Sequence, residues 1–240
     1  MSPRPFTIVF ALYDGMTQLD FTGPHEFLSR TPGAVTLVAS RDGGAVKSDR
    51  LEFGGTVPLA TVSGCDLLCV PGGLSATAVA LDRVFIAEIR RLGLGARYVT
   101  SVCTGSLILG AAGLLKGKRA ACHWAWRELL PLFGAIPQAD RVVRDGDIIT
   151  GGGVTAGMDF ALTVLTEIAG ADVAQAIQLG LEYDPQPPFH AGSPQSAPPQ
   201  VLARFQATAA PLIEKRRAQA EEAARLLVGD ASTTETDVIL

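Results

Sequence analysis

Histidine is scarce in this chain, with three in 240 residues (His25, His123 and His190), and cysteine is hardly commoner, with four: Cys65, Cys69, Cys103 and Cys122. A structural zinc centre draws four such ligands from short, paired spacings. Cys65 and Cys69 stand four apart with no second pair and no histidine near, and "HEFLS" lacks the second histidine of a zinc-protease helix. No metal ligand is assigned. Four cysteines in a chain this long do not read as a disulfide framework either, and each is judged alone. A large excess of charge of one sign is missing too. The 20 Lys and Arg against 24 Asp and Glu give a net −4, which leaves no electrostatic footprint for nucleic acid. The basic cluster "EKRRAQ" runs straight into acidic "AEEAAR" and reads as a solvated helix face. Long apolar runs are also absent. A bilayer span needs about 20 apolar residues, and the longest candidate, "LILGAAGLL", stops at Lys116. "MSPRPFTIVFAL" has no cleavage site behind its apolar run and reads as a first strand, not a signal peptide. The expectation is a cytoplasmic protein with no membrane and no nucleic-acid partner.

What the chain does have is alternation. "FTIVFAL" (6–12), "VTLVAS" (35–40), "DLLCV" (66–70) and "ARYVTSV" (96–102) are short β-like runs. Between and after them lie helical patterns: "MTQLDFTGPHEFLSR" with Pro24 near a start position, "SATAVALDRVFIAEIRRLG", and the run opening at Gly105. "AVKSDRLEFGGTVPL" predicts a hairpin excursion around Gly54 and Gly55, "GKRAACHW" a strand, and "WRELLPLF" a short helix. Asp-Gly in "RVVRDGDIITGGG" predicts a hairpin turn. Two helices follow, over "TAGMDFALTVLTEIAG" and "ADVAQAIQLGLEYD". Strands alternating with helices predict an α/β domain, with a mostly parallel sheet covered on both faces, over residues 1–184. The segment 185–200 is rich in Pro, Gly and Ser, as in a linker or an ordered loop. The rest is one long helical pattern with a frayed polar tail, "DASTTETDVIL". Residues 185–240 are expected to pack on the same domain or on a partner.

One cysteine stands apart from the other three. In "YVTSVCTGSLILGAAGLL" (98–115), Cys103 falls where a β-branched run gives way to a helix opened by Gly105. Ligands of open α/β sheets bind at the carboxyl ends of strands. Helix N-terminal amides there stabilise negative charge and would push a thiol toward thiolate. The bland alternative is a small buried hydrophobe, and it is kept for Cys65, Cys69 and Cys122. "CVPGG" (69–73) ends a neighbouring strand, where Gly72 and Gly73 could present backbone N–H groups as an oxyanion hole. Asp20, in "QLDFTGPHEFL", is either an N-cap or surface carboxylate, or an acid beside the thiol that stays protonated. His123, before Trp124 and Trp126, reads as a packing residue with a lesser chance of lining a site; His25 could sit near a pocket or an interface.

Together these stretches resemble the ThiJ/PfpI superfamily over nearly the whole chain, from "FTIVFALYDGMTQLDFTGPHEFL" through "LLCVPGG" to "RDGDIITGGGVTAGMDFALTV". "QLDFTGPHE", "GGGVTAGMDFAL" and the irregular "LEYDPQPPFHAGSPQSAP" resemble most the branch that hydrates isocyanides. The resemblance implies a flavodoxin-like three-layer sandwich with a C-terminal helical extension, a homodimer, and no cofactor. It implies Cys103 as nucleophile, Asp20 as acid, and Thr104 holding water or substrate. It also places Gly152, Gly153 and Val154 close to the thiol. Many members carry a histidine after the cysteine and a glutamate as the acid; here Thr104 and Asp20 stand in those places. The substrate would be an organic isocyanide, whose terminal carbon accepts the thiolate while its nitrogen takes up a proton, giving a thioimidate and then an N-substituted formamide. Two alternatives stay open. One is a non-catalytic ligand sensor related to the N-terminal domain of AraC-type regulators. The other is a different superfamily activity, glyoxalase-like or oxidation-sensing.

Overall fold

A computed structural model describes residues 4–236. The first strand, β1 (Phe6–Leu12), is buried from Ile8 onward and leads into α1 (Gln18–Leu28). Next come β2 (Ala34–Ser40), the small hairpin β3 (Val46–Ser48) and β4 (Leu51–Phe53), β5 (Val57–Pro58) and β6 (Leu67–Val70). α2 (Ala76–Val79), α3 (Arg83–Gly95), β7 (Tyr98–Val102) and α4 (Gly105–Ala111) follow. Beyond them lie β8 (Arg119–Ala121), a 3-10 helix (Arg127–Phe133), β9 (Ile136–Gln138), β10 (Val142–Asp145), β11 (Ile148–Gly151), α5 (Ala156–Ala169), α6 (Ala171–Gly180) and α7 (Pro199–Thr236).

The central sheet has seven strands in the order β10-β11-β7-β6-β1-β2-β5, all parallel except β10. Its β2-β1-β6-β7-β11 centre has the 2-1-3-4-5 winding of a flavodoxin-like sheet, whose order reverses at β1 and β6. Strands buried on both faces read as unbroken apolar runs, and β6 and β7 are buried at every position. α1 and α5 pack together, with α6 on α5; α2, α3, α4 and α7 are linked by contacts of their own. Among the described residues no helix is long and apolar enough to cross a membrane.

Several local expectations need correction. "SATAVALDRVFIAEIRRLG" is two helices: the first ends at Val79, and Asp82 caps the second by accepting from Val84 N (3.1 Å) and Phe85 N (3.2 Å). The β3–β4 hairpin reverses at Asp49 (φ 53) and Arg50, not around Gly54 and Gly55. The strand in "GKRAACHW" lies outside the central sheet and pairs with β9. Pro24 lies inside α1, one turn after Asp20. Its ring faces Gly157 of α5, where an added Cβ would come within 3.1 Å of Pro24 Cδ. The hairpin β10–β11 forms as expected, turning at Gly146 (φ 66). Residues 185–198 are irregular, and the helix after them extends through 236, so the expected frayed tail is helical that far; its remainder, residues 237–240, lies outside the described residues.

Candidate active site

Cys103 follows the last residue of β7, and Thr104 and Gly105 lead into α4. Its φ of 58° lies in the left-handed region, a conformation that costs a non-glycine residue about 1–3 kcal/mol. The turn is held by Cys103 N–H, which donates to Gly152 O (2.8 Å) and Gly151 O (3.1 Å). Gly105 lets α4 start against the end of β6: an added Cβ would strike Val70 O and lie 2.9 Å from Pro71 O. This is a strained strand–cysteine–helix elbow.

Asp20 comes from the first turn of α1, beyond the end of β1, and is 0% exposed. That excludes the surface-carboxylate reading, and the N-cap position belongs to Thr17. Asp20 Oδ2 accepts from Gly72 N (3.0 Å), while Oδ1 is buried without a well-formed partner. The Cys103 thiol interacts with the same carboxyl at looser geometry than an ordinary hydrogen bond. Gly72 must be glycine here, since a Cβ would meet Thr104 N, Asp20 Oδ2 (2.7 Å) and Thr104 Oγ1 (2.8 Å). Thr104 Oγ1 accepts from Gly73 N (2.9 Å) and donates to Gly73 O (3.1 Å). Both glycine amides are thus engaged inside the protein. The expected oxyanion hole at Gly72 and Gly73 is corrected: their N–H groups position Asp20 and Thr104.

Cys103 is 5% exposed, and that exposure opens into a cavity of about 260 Å3. Thr104, Gly73 and Val154 line it with Cys103, and so does His123. Gly152 and Gly153 stand behind, Gly152 through its carbonyl on Cys103 and Gly153 against the His123 ring. His123 Nδ1 accepts from Ala125 N (3.2 Å), which puts the neutral ring's proton on Nε2. His25 packs against Phe10 and Phe21 instead and is not among the cavity residues. The sequence reading missed the far wall: Phe205, Ala209, Leu212 and Arg216 of α7, with Trp126. Arg216 belongs to the cluster read as a solvated face, yet it is buried while Lys215 and Arg217 are exposed. Its signal was the helical spacing to buried Ala209, Ala220 and Ala223, seven, four and seven residues away.

Burial dominates the electrostatics. It raises Asp20 to about 7, against the opposing hydrogen bonds from Cys103 and Gly72. The expected thiolate is corrected: burial, then the Asp20 charge, pushes the Cys103 thiol well above its ordinary range, and the Thr104 amide lowers it by less. The Asp20 charge disfavours ionisation of the thiol, while the neutral thiol favours the Asp20 carboxylate, so near neutrality the pair carries at most one negative charge. Burial lowers His123, with Arg216 second, which keeps the ring neutral.

A doubly wound sheet with a cysteine elbow at the carboxyl end of β7, facing a buried carboxyl, defines a known class: the chain belongs to the DJ-1/PfpI family, which it matches over residues 6–167. It is 48% identical to the "Isonitrile hydratase" of Pseudomonas putida over 221 residues, covering 92% of this chain and 97% of that one. A crystal structure of a ThiJ/PfpI family protein from Pseudomonas syringae superposes with a TM-score of 0.88 at 42% identity, over 90% of this chain and 91% of that one. More distantly, it is 30% identical to the HTH-type transcriptional regulator CdhR of Pseudomonas aeruginosa over 57% of this chain and 41% of the regulator.

Proposed function

We propose that this protein is a hydratase, a lyase that converts organic isocyanides to N-substituted formamides with Cys103 as nucleophile. The observation that carries the reading is the buried Asp20 carboxyl set against the thiol at the wall of an apolar cavity. The 48% identity to an isonitrile hydratase supplies the substrate class.

The one-proton state of the pair does the chemistry. Asp20 takes the S–H proton as sulfur bonds to the terminal carbon of R–NC, and returns it to that carbon, whose lone pair accepts it. The product is the thioimidate Cys–S–CH=N–R. Atom balance puts the first proton on carbon and the second on nitrogen. Water then adds to the same carbon as the nitrogen is protonated, the C–S bond breaks, and R–NH–CHO leaves with the thiol restored. Asp20 is not among the residues lining the cavity, so it reaches the substrate past the sulfur. Thr104 holds the PGG turn through its hydroxyl and keeps a lone pair for the attacking water. Val154 and α7 give the R group an apolar bed.

The proposed setting is the cytoplasm, where four free thiols persist, and the proposed assembly is a homodimer. The test is turnover of a simple alkyl isocyanide, read as formamide. The expected result is turnover by the wild type and none by Cys103→Ala. Saturable binding without turnover would instead favour a ligand sensor, in keeping with the regulator relative.

A further inference from the structure

Arg216 is 4% exposed on α7. Desolvating a guanidinium costs several kcal/mol, and buried charges are ordinarily paired. Here Nη2 donates to Leu74 O (2.9 Å) and more loosely to Gly73 O (3.4 Å), and the guanidinium carbon sits 3.9 Å over the Trp126 ring. Among the described residues no acidic side chain bonds to it. Two carbonyls take up Nη2 and a ring face takes the stacking plane, but they leave its charge without an anion. Arg216 and Cys103 line the same cavity.

We propose that Arg216 is the counter-charge of the Cys103–Asp20 pair, so that the C-terminal helix completes the active site electrostatically. The proposal rests on reading Cys103 as the nucleophile, and Arg216 acts in it as a positioning residue. The other groups around the thiol are Asp20 from α1, Tyr13 after β1, Cys122 and His123 after β8, and the Thr104 amide. Tyr13 is itself raised by burial, by Asp20 and by Cys103, and stays neutral. His123 is neutral as well. Arg127 acts on Cys122 and faces the adjoining recess, walled by Gly192–Gln195, so of the two arginines Arg216 is the one in the Cys103 cavity. A fixed cation there lowers the energy of every state in which sulfur or carboxylate carries charge, without reorganising during the reaction.

The test is the pH dependence of Cys103 alkylation by iodoacetamide, followed on its peptide by mass spectrometry, for the wild type, Arg216→Lys, Arg216→Gln and Arg216→Met. The neutral variants should move the alkylation midpoint up by about one pH unit or more, and lower kcat/KM about tenfold. Arg216→Lys should keep the midpoint within a few tenths of the wild type. A residue that only braces the turn would lower the melting temperature and leave the midpoint in place, and that result would overturn the proposal. Arg216→Met keeps an apolar stem on Trp126 if Arg216→Gln fails to fold. Should neither fold, a folded Arg216→Lys whose midpoint rises by a full unit would also overturn it. Alkylation needs no isocyanide, so expected midpoints without turnover would reject the substrate and leave the counter-charge standing.

Discussion

An ionised carboxyl with no solvent contact works against the fold that holds it, and Asp20 makes that conflict measurable. Its proton is bound more tightly in the folded chain than in the unfolded one, so its stabilising effect is full below about pH 4 and is lost as pH rises to about 7. Asp20→Asn removes the charge and keeps the shape. By urea unfolding it should be more stable than the wild type at pH 8, by about 2–4 kcal/mol, with the gap closing toward pH 4. Turnover should fall about a hundredfold or more, because the proton carrier is gone. The same group sets a rate profile: wild-type kcat/KM should drop on the acid side of about pH 7, where the pair holds two protons. A profile flat down to pH 5.5 would contradict the shared proton. Gly72→Ala should inactivate and destabilise by about 1–3 kcal/mol, since its Cβ has no room beside Thr104 and Asp20. Cys103 and Asp20 were legible in the sequence because each departs from a local pattern, a thiol at a strand end and an acid in an apolar stretch. The direction of the thiol's shift was not legible, since burial is a property of the whole cavity wall.

The helices and loops differ in how much their sequence announced. β6 was plain as a continuous apolar run and β7 as a β-branched one. The break between α2 and α3 was harder to see, because it depends on Asp82 accepting from two amides of the turn that follows it. The PGG turn was seen, but its amides' partners come from two distant elements, α1 and the α4 start, and no local pattern shows that. α7 was legible as a helix and not as a wall of the site. Ala220 is fully buried in it, and Gln219 accepts from the Thr77 hydroxyl at 2.7 Å. Ala220→Asp places an unpaired charge in that contact. It should loosen α7 and speed labelling of Cys103 by a bulky maleimide while the α/β body keeps its far-UV circular dichroism. Unchanged labelling would show that α7 does not close the cavity.

At the scale of the molecule, the doubly wound sheet decides where chemistry can occur. Its order reverses at β1 and β6, and the carboxyl ends of β1, β6, β7 and β11 bring Asp20, the PGG turn, Cys103 and the Gly152–Val154 loop to one rim. That rim was readable from alternation of strands and helices, whereas the enclosure of the cavity by a helix about a hundred residues downstream of Cys103 was not. In the proposed homodimer, light scattering should report twice the 25.1 kDa of one chain; a mass of one chain would reject it. The central claim is a covalent one, that sulfur 103 bonds to the substrate carbon. Acid-quenching the enzyme during turnover of an alkyl isocyanide and weighing its peptides tests this most directly. The Cys103 peptide should gain the mass of one substrate molecule, and the Cys65, Cys69 and Cys122 peptides none. An unmodified Cys103 peptide, with formamide still forming in Cys103→Ala, would contradict it.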